Sequence, residues 1–452
     1  MQLRTYSVGL LFTFVSVLLL GTVFAFDFSH LVGVDSEYDV KRFLVLGFIW
    51  LSSLMLCFVR NVEVTRISRK SAIFLAVFLV LAVVSSFASK HPFWSMVEVA
   101  NIILLIAAFY VFTLTRTVID REVLFVGVYA GALSFSLLTL IKYLLFLFFS
   151  YIDAQRFDIH GLISGYVNVR FFNQLQVMIM PVLLMPFGGK RLAKFRAISL
   201  IAMSLHWTVI LQTEARGAML SVILAFGVIL YFLSSDIRKP LIIIMVKTFL
   251  AGFCLWLVFI IFIPSWLMES ANFQIRATSS GRIDFWLYVF KTIPEHLWLG
   301  FGPMSFTWAE GKPLPNAHPH NSMMQLLYEF GVIAFTIFSV WVFSRVYNWL
   351  SLLRNTSDVI GGAILYAVLS GLIYSLFSGV AVMPFSQLLL VFLIAMHSGS
   401  KLGKCYKIGA LSRVTFFFMV TLLVMLMLST YKHGNLLSAQ YPRVWLNGLI
   451  SY

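Results

Sequence analysis

Long apolar runs separated by short polar stretches dominate this sequence. A helix needs roughly 20 apolar residues to cross a bilayer, and thirteen runs approach that length. In lipid, only helices and closed barrels satisfy their own backbone, and these runs lack the alternation of barrel strands. The pattern therefore predicts an all-α polytopic membrane protein, a bundle of about 12–13 transmembrane helices. The runs lie near residues 7–26, 43–59, 71–88, 97–115, 123–150, 173–188, 197–213, 217–234, 240–263, 322–344, 359–379, 381–398 and 411–430.

Composition supports this prediction and excludes a soluble protein. Of 452 residues, 60% are hydrophobic and only 11% are charged. An ordinary soluble domain carries roughly 25% charged residues because its surface must face water. A chain this poor in charge cannot cover a globular surface, so most of it must face lipid.

The basic residues indicate the orientation of the bundle. When the loops are taken alternately along the chain, one set is rich in Lys and Arg, whereas the other is balanced in charge. The positive-inside rule assigns the basic set to the cytoplasm. The net charge of +15 is then a consequence of topology, and no nucleic-acid partner is needed to explain it. The basic set comprises Arg4, Arg60, Arg66, Arg69, Lys70, Arg116, Arg121, Lys190, Arg191, Lys194, Arg196, Arg238, Lys239, Arg345, Arg354, Lys401, Lys404, Lys407 and Arg413.

This topology divides the chain into four parts. Residues 1–263 form nine spans with short loops, and residues 264–321 form one large loop on the outer side. Residues 322–430 form four more spans, and residues 431–452 form a tail that is also on the outer side. Ordered loops as long as the large one are usually functional.

An amphipathic stretch from Arg282 to Ile293 lies within the large loop. It predicts a short helix along the membrane face. The side chains expected to face inward are Phe285, Trp286, Val289 and Phe290.

The densest polar constellation closes the large loop. Asn321 is a good N-cap for a helix starting near Ser322, which places His320 at the positive end of the helix dipole. That field favours a neutral imidazole and attracts anions. Gln325 and Glu329 follow Asn321 at spacings of four, so a polar stripe descends along the helix.

Two other interpretations of the histidines remain open. His318 and His320 could ligate zinc together with Glu310 or Glu329, although two histidines one residue apart are weak evidence for a metal site. Alternatively, the segment is only a helix cap with interfacial histidines.

Arginines on the outer side form a second group of candidates. Arg216 lies in the short turn between two spans, and Arg282 begins the amphipathic stretch, with Arg276 six residues before it. Such arginines often only snorkel or bind lipid headgroups. Together with His320 they instead predict a diphosphate site, because a guanidinium grips phosphate oxygens bidentately.

Other polar residues fit no common catalytic signature. The sequence contains no Walker A motif, Rossmann glycine pattern or Ser/Cys triad signature. Polar residues of the second outer loop, around 151–172, are candidates for an acceptor site, and the sequence does not select among them. They are Asp153, Arg156, Asp158, His160 and Arg170.

Three motifs together resemble the bacterial O-antigen ligase/polymerase superfamily. They span roughly residues 200–335 and occur in the order and on the side that the family shows. They are Thr213-x-x-Arg216-Gly217; Ser280-Gly281-Arg282 with Trp286 and Gly300-x-Gly302; and His318-x-His320-Asn321 with Leu326, Leu327, Glu329 and Gly331.

The resemblance implies a GT-C-type glycosyltransferase of the bacterial inner membrane with its active site facing the periplasm. Such enzymes transfer a glycan from undecaprenyl diphosphate to an acceptor hydroxyl, without a nucleotide sugar, cofactor or required metal. By the same resemblance, His320 is the catalytic residue and Arg216 and Arg282 contact the diphosphate. Supporting roles fall to His318, Asn321, Arg276 and Glu329.

The identity of the acceptor stays open at this point. The favoured reaction is the ligase reaction, in which the acceptor is a sugar hydroxyl of the lipid A core. An O-antigen polymerase or a protein O-oligosaccharyltransferase would use the same donor. A multispan transporter or lipid flippase is a further alternative, but its ionisable residues should lie near the bilayer midplane.

Overall fold

A computed structural model describes residues 1–34, 36–65, 67–155, 159, 166, 168–267, 281–398, 405–431 and 443–446. Within these residues, ten helices are long and apolar enough to cross a membrane, and three apolar helices are shorter. Each of the thirteen predicted apolar runs coincides with one of these helices. The predicted fold class, an all-helical membrane protein, is thereby confirmed.

The helices follow one another with few other elements. They are α1 (Leu3–Leu20), α2 (Ala25–Val32), α3 (Glu37–Cys57), α4 (Arg69–Phe87), α5 (Pro92–Val118), α6 (Arg121–Ile152), α7 (Val169–Ile179), α8 (Arg196–Gln212), α9 (Arg216–Phe232), α10 (Ser235–Leu267), α11 (Arg282–Thr292), α12 (Ser322–Leu353), α13 (Val359–Tyr374), α14 (Pro384–Ser398) and α15 (Ala410–Leu428). Short 3-10 helices cover Met180–Phe187, Ala193–Phe195, Ile293–His296 and Ser305–Trp308, and Leu257–Phe262 within α10 is a π-helix.

A small antiparallel sheet pairs strand β1 (Glu63–Thr65) with strand β2 (Cys405–Lys407). In its register, Val64 lies opposite Tyr406. The sheet joins the loop after α3 to the loop before α15, two loops that the charge pattern assigns to the same side.

The first apolar run differs from its predicted bounds. It was expected to continue to Phe26, but α1 ends at Leu20 and α2 begins at Ala25. Gly21 caps α1 where the chain presses against Phe385, since a Cβ at Gly21 would come within 2.3 Å of that ring. A close helix contact therefore interrupts a run that is continuous in hydropathy.

Inner and outer helices divide by burial. Phe14, Phe48, Phe112 and Phe392 pack in the main core, with Phe14 and Phe392 stacked at 4.4 Å between ring centroids. The span that includes α7 is buried over nearly its whole length, whereas few side chains of α10 and α15 are buried. Exposed apolar helices are expected where the solvent is lipid.

Helix α12 is broken near its N-terminal end. Gly331 has φ 73° and ψ 177°, which no helix accommodates. The segment 297–302, which we call the strap, binds at this break. Phe301 N–H donates to the Tyr328 carbonyl at 3.0 Å, and Gly302 N–H donates to the Glu329 carbonyl at 2.9 Å. The carbonyls freed by the break thus hold the strap, which is part of the large loop, against α12.

The glycines of the strap are required by close backbone approach. A Cβ on Gly300 would lie 2.5 Å from the Gly331 nitrogen, and one on Gly302 would lie 2.4 Å from the Ser89 Cβ. Gly300 and Gly302 of the strap and Gly331 of α12 also have positive φ, which L side chains rarely adopt. The Gly300-x-Gly302 and Gly331 positions of the motifs therefore have a steric reason.

Helix α11 is amphipathic, as predicted, but one of its residues was assigned to the wrong face. Phe285 and Val289 are fully buried, whereas Phe290 is 54% exposed. At about 100° per residue, Phe290 shares the outer face with Ile283 and Leu287, which are also exposed. The inward orientation predicted for Phe290 is therefore wrong.

Candidate active site

Residues 312–321 form a loop, here called the histidine loop, that leads into α12. Lys312 joins the first half of this loop to the preceding 3-10 helix, because Nζ donates to the carbonyls of Phe306 at 3.1 Å and Asn316 at 3.0 Å, and also to that of Thr307. Burial lowers the pKa of Lys312 to about 8. The loop thus has a fixed shape without regular secondary structure.

His320 lies at the end of this loop in a strained conformation. Its φ is +54°, a region that residues other than glycine rarely occupy and that is often found at functional sites. Its ring lies 6.2 Å from the Phe285 ring, between centroids. Burial, followed by the charges of Arg282 and Arg170, lowers its pKa to about 3. The imidazole is therefore neutral at physiological pH.

The His320 ring is held by Asn316, whose Nδ2 lies in hydrogen-bond contact with Nε2. In that orientation Nε2 accepts and Nδ1 carries the proton. The Asn316 Oδ1 is buried without a partner among the described residues. If the Asn316 amide is flipped, Oδ1 accepts a hydrogen bond from Nε2–H, and the free lone pair of the ring is then on Nδ1. Asn316 thus selects the tautomer of His320 in either orientation.

His318 is buried and supports the backbone of the same segment. Its Nδ1 accepts from the His320 N–H at 3.2 Å, and its ring packs on Gly379, where a Cβ would lie 2.8 Å from Cε1. Burial and the neighbouring charges of His320 and Arg443 lower its pKa well below the ordinary value. This contact helps to hold the strained backbone of His320.

Asn321 and the polar stripe occur as predicted. Asn321 Oδ1 accepts from the N–H groups of Met323 at 2.9 Å and Met324 at 3.1 Å, which confirms it as the N-cap of α12. One turn further along, Gln325 Nε2 donates to Glu329 Oε2 at 3.3 Å. The cap leaves His320 directly before the positive end of a long helix.

Arg282 and Arg170 lie near His320, and Arg216 lies near Arg282. Arg282 is the first residue of α11, Arg216 is the first of α9, and Arg170 is the second of α7. Burial, followed by the charge of Arg170 and then, more weakly, that of Arg216, lowers the pKa of Arg282, and Tyr374 acts in the opposite direction. We call Arg170, Arg216, Arg282 and His320 the basic cluster. Arg276 lies outside the described residues.

The Arg282 guanidinium is the member of this cluster most suited to an incoming anion. Its Nε is buried and has no hydrogen-bond partner among the described residues. Its neighbours Arg170 and Arg216 are cations, and all three arginines stand at helix N-termini, where free N–H groups and the helix dipole favour negative charge. The arrangement can bind an anion with several oxygens beside a neutral imidazole.

Comparison with known families gives a match. Residues 198–339 match a family model described as O-antigen ligase. The chain contains an O-antigen ligase domain. The resemblance drawn from the three motifs is thereby confirmed for this stretch. No curated protein matches the chain.

The family covers O-antigen ligases and polymerases, which are enzymes that transfer polyprenyl-linked glycans. The protein is accordingly a multi-pass membrane protein that contains a domain of this family, whose members act on lipid-linked glycans.

Most of the predicted site residues lie within the O-antigen ligase domain. Arg216, Arg282 and His320 come from separate segments of it and meet in the basic cluster. Arg170 lies outside the matched residues and was predicted only as one of several polar residues of a loop. Asn168, two residues before Arg170, is a good helix N-cap. It was the signal in the sequence that could have placed Arg170 at the N-terminus of a helix.

Glu329 lies deeper, away from the basic cluster. Its two carboxylate oxygens accept from Arg443, with Nη1–Oε1 at 3.0 Å and Nη2–Oε2 at 2.8 Å. Arg443 was missed because it follows Glu329 by more than a hundred residues and lies in the C-terminal tail. No local pattern in the sequence indicates this pair.

The zinc alternative has no ligand set in the described part of the chain. There, no three His, Cys, Asp or Glu side chains group closely enough to hold a metal ion. Glu329 is bound to Arg443, and Glu310 is exposed and pairs with Lys90 at 3.9 Å. His318 and His320 therefore lack the carboxylate that this interpretation required.

Proposed function

We propose that this protein transfers O-antigen from undecaprenyl diphosphate to a sugar hydroxyl of the lipid A core, at the periplasmic face of the inner membrane. The observation that carries the proposal is the basic cluster: a neutral histidine of an O-antigen ligase domain lies near Arg282 and Arg170, and Arg216 lies near Arg282, all three at helix N-termini. The domain also favours an enzyme over a transporter or flippase.

The arginines bind the donor diphosphate. Arg216 and Arg282 supply guanidinium groups that match phosphate oxygens, and Arg170 adds a third cation beside Arg282. Negative charge develops on the diphosphate as the glycosyl bond breaks. Cations already in place stabilise that charge without reorganisation, which is often the largest contribution to catalysis.

His320 acts as the general base. The acceptor hydroxyl attacks the anomeric carbon of the donor, its proton passes to the imidazole, and the electron pair of the broken bond leaves with the diphosphate. A positioned base typically contributes about 10²–10⁴-fold to the rate. For His320 to accept this proton, Asn316 must present Oδ1 to Nε2–H, so that the lone pair of Nδ1 is free for the acceptor hydroxyl. His318 supports the His320 backbone.

Donor binding increases the basicity of His320. In the free protein, burial and the charges of Arg282 and Arg170 lower its pKa to about 3. A bound diphosphate offsets those positive charges, so the pKa rises when the donor is present. The base therefore becomes effective only when there is a glycan to transfer.

The orientation is supported by the charge pattern of the loops and can be tested by labelling. In a protein without Cys57, Cys254 and Cys405, Glu310→Cys should react with an impermeant maleimide once the outer membrane is permeabilised, because the Glu310 side chain is 91% exposed. Arg354→Cys at the opposite end should react only after lysis of the inner membrane. The reverse result would place the basic cluster in the cytoplasm and contradict the proposal.

The acceptor is tested by the lipopolysaccharide of a deletion strain. The ligase reaction predicts lipid A core without O-antigen together with intact lipid-linked polymer. Core carrying a single repeat unit would instead indicate the polymerase. Normal lipopolysaccharide with loss of protein glycosylation would indicate the protein O-oligosaccharyltransferase.

A further inference from the structure

Four residues of the C-terminal tail, Arg443–Leu446, lie inside the bundle. Arg443 is only 1% exposed and Trp445 is fully buried. The Leu446 N–H donates to Asp39 Oδ1 at 2.6 Å, and Trp445 Nε1 donates to Thr430 Oγ1 at 2.9 Å. These contacts attach the tail to α3 and to the end of α15.

The backbone of this tail segment is also held by Arg42 of α3. The Arg42 guanidinium donates to the carbonyl of Arg443 at 3.1 Å and to that of Val444 at 3.3 Å. The Tyr38 hydroxyl donates to the same Arg443 carbonyl at 3.3 Å. Arg443 therefore projects from a fixed backbone.

The Arg443 side chain reaches the histidine loop and α12 together. Besides its bidentate contact with Glu329, its Nη1 donates to the Ala317 carbonyl at 3.2 Å. Glu98 of α5 lies 3.6 Å away. Burial opposes the charge of Arg443, but the carboxylates of Glu329 and Glu98 raise its pKa, so the guanidinium is firmly charged.

The contact with Ala317 connects the tail to the base. Ala317 directly precedes His318, whose Nδ1 holds the His320 N–H. Glu329 lies two turns beyond the N-cap Asn321, on the other side of the histidines. Arg443 thus binds Ala317, which precedes His320 in the chain, and Glu329, which follows it.

We propose that Arg443 is a positioning residue for His320, and that the transfer reaction requires the C-terminal tail to be seated in the bundle. The proposal rests on the proposed function only in naming His320 as the base. The link between tail and loop is independent of it.

The alternative is that Arg443 and Glu329 form an ion pair that only stabilises the fold. Replacing one partner leaves an unpaired buried charge, whereas replacing both by apolar residues often restores stability. The double variant Arg443→Met/Glu329→Met therefore separates the two roles. It should regain part of the thermal stability lost in Arg443→Met, because only Glu98 is then left without its ion-pair partner, but it should not regain the contact with Ala317.

The first measurement is hydrogen exchange of the purified protein in nanodiscs, which needs no substrate. Exchange of residues 316–321 should increase in Arg443→Met and in the double variant, and that of α8 and α10 should not change. Arg238→Met is the control, because Arg238, at the start of α10, also donates to two backbone carbonyls but does so at the C-terminal end of α9, away from Arg216. It should leave residues 316–321 unchanged.

The second measurement is transfer from a polyprenyl-diphosphate-linked glycan. Since a displacement of about 1 Å can cost about 10²-fold in rate, we expect kcat to fall by about that factor in the double variant while the donor KM stays near its original value. Arg443→Lys should recover only part of the rate, because a lysine ammonium carries the charge but cannot bind both carboxylate oxygens in the bidentate geometry of a guanidinium.

The outcomes are distinguishable. Unchanged exchange at residues 316–321, or full kcat in a stable double variant, would overturn the positioning role. A wild-type protein that transfers nothing from any polyprenyl-linked donor would overturn the proposed function, whereas the exchange data would still decide whether the tail holds the loop.

Discussion

Two arginine environments lie on either side of the histidine loop and have opposite electrostatics. In the basic cluster, Arg282 has the cations Arg170 and Arg216 as neighbours, and burial and those charges lower its pKa. In the interior, Arg443 binds both oxygens of Glu329, and carboxylates raise its pKa.

The difference teaches how the same side chain serves two purposes. A buried guanidinium whose two terminal nitrogens bind both oxygens of a carboxylate is neutralised within the protein and holds elements together. A guanidinium placed among like charges is unfavourable until an anion arrives. We therefore assign substrate binding to Arg282 and structural positioning to Arg443.

The largest expected effect is on the chemistry beside the basic cluster. His320→Ala should insert normally and bind lipid-linked donor, yet transfer about 10²–10⁴-fold more slowly, because the base is gone. His318→Ala should retain measurable transfer. Both are assayed as purified proteins with donor and acceptor, with EDTA present throughout.

Robust turnover by His320→Ala would remove the proposed base from the mechanism. Loss of wild-type turnover in EDTA would revive the zinc interpretation of the histidines.

The next effect concerns stability and compares the two arginines directly. Arg443→Met should destabilise the protein by about 3–5 kcal/mol, because it leaves the Glu329 carboxylate buried and unpaired. Arg282→Met should leave the thermal midpoint unchanged or raise it, since it relieves repulsion from Arg170 and Arg216. Thermal unfolding in detergent measures both variants, and equal losses would erase the distinction between the two environments.

A smaller effect is expected from conservative changes in the basic cluster. Arg216→Lys and Arg282→Lys should each lower kcat/KM by about tenfold to a hundredfold, as expected for loss of a charge-assisted hydrogen bond worth about 1.5–3 kcal/mol. Arg354→Lys, at the opposite end of α12, is the control and should have no effect. Full activity in both cluster variants, at normal protein levels, would count against diphosphate binding.

The smallest effect is a predicted insensitivity to pH. Because the pKa of His320 in the free protein is lowered to about 3, the imidazole stays neutral on acidification, and kcat/KM should change less than about twofold between pH 7.5 and 5. The kcat profile should fall at a higher pH than kcat/KM does, since bound diphosphate raises the pKa. A fall in kcat/KM near pH 6.5 would mean that the ring is not shielded as described.

Much of the architecture could be predicted from the sequence because hydropathy acts locally. Each apolar run became a helix, Asn321 capped α12, and Gln325 reached Glu329 one turn away. These features depend on spacing along a single helix. Phe290 was misassigned even so, because the inner face of α11 is chosen by what packs against it.

The sequence by itself determined an all-helical membrane bundle, the motifs of an O-antigen ligase domain and three of the four members of the basic cluster. The tertiary structure alone brought Arg170 to the cluster, placed Asn316 on the His320 ring, and joined Arg443 to Glu329 and Ala317. The physical reason is that charge pairing in a low-dielectric interior depends on distance in space. Residues separated by a hundred positions carry no periodic signal of their contact, whereas the hydrophobic effect marks every buried or lipid-facing position along the chain.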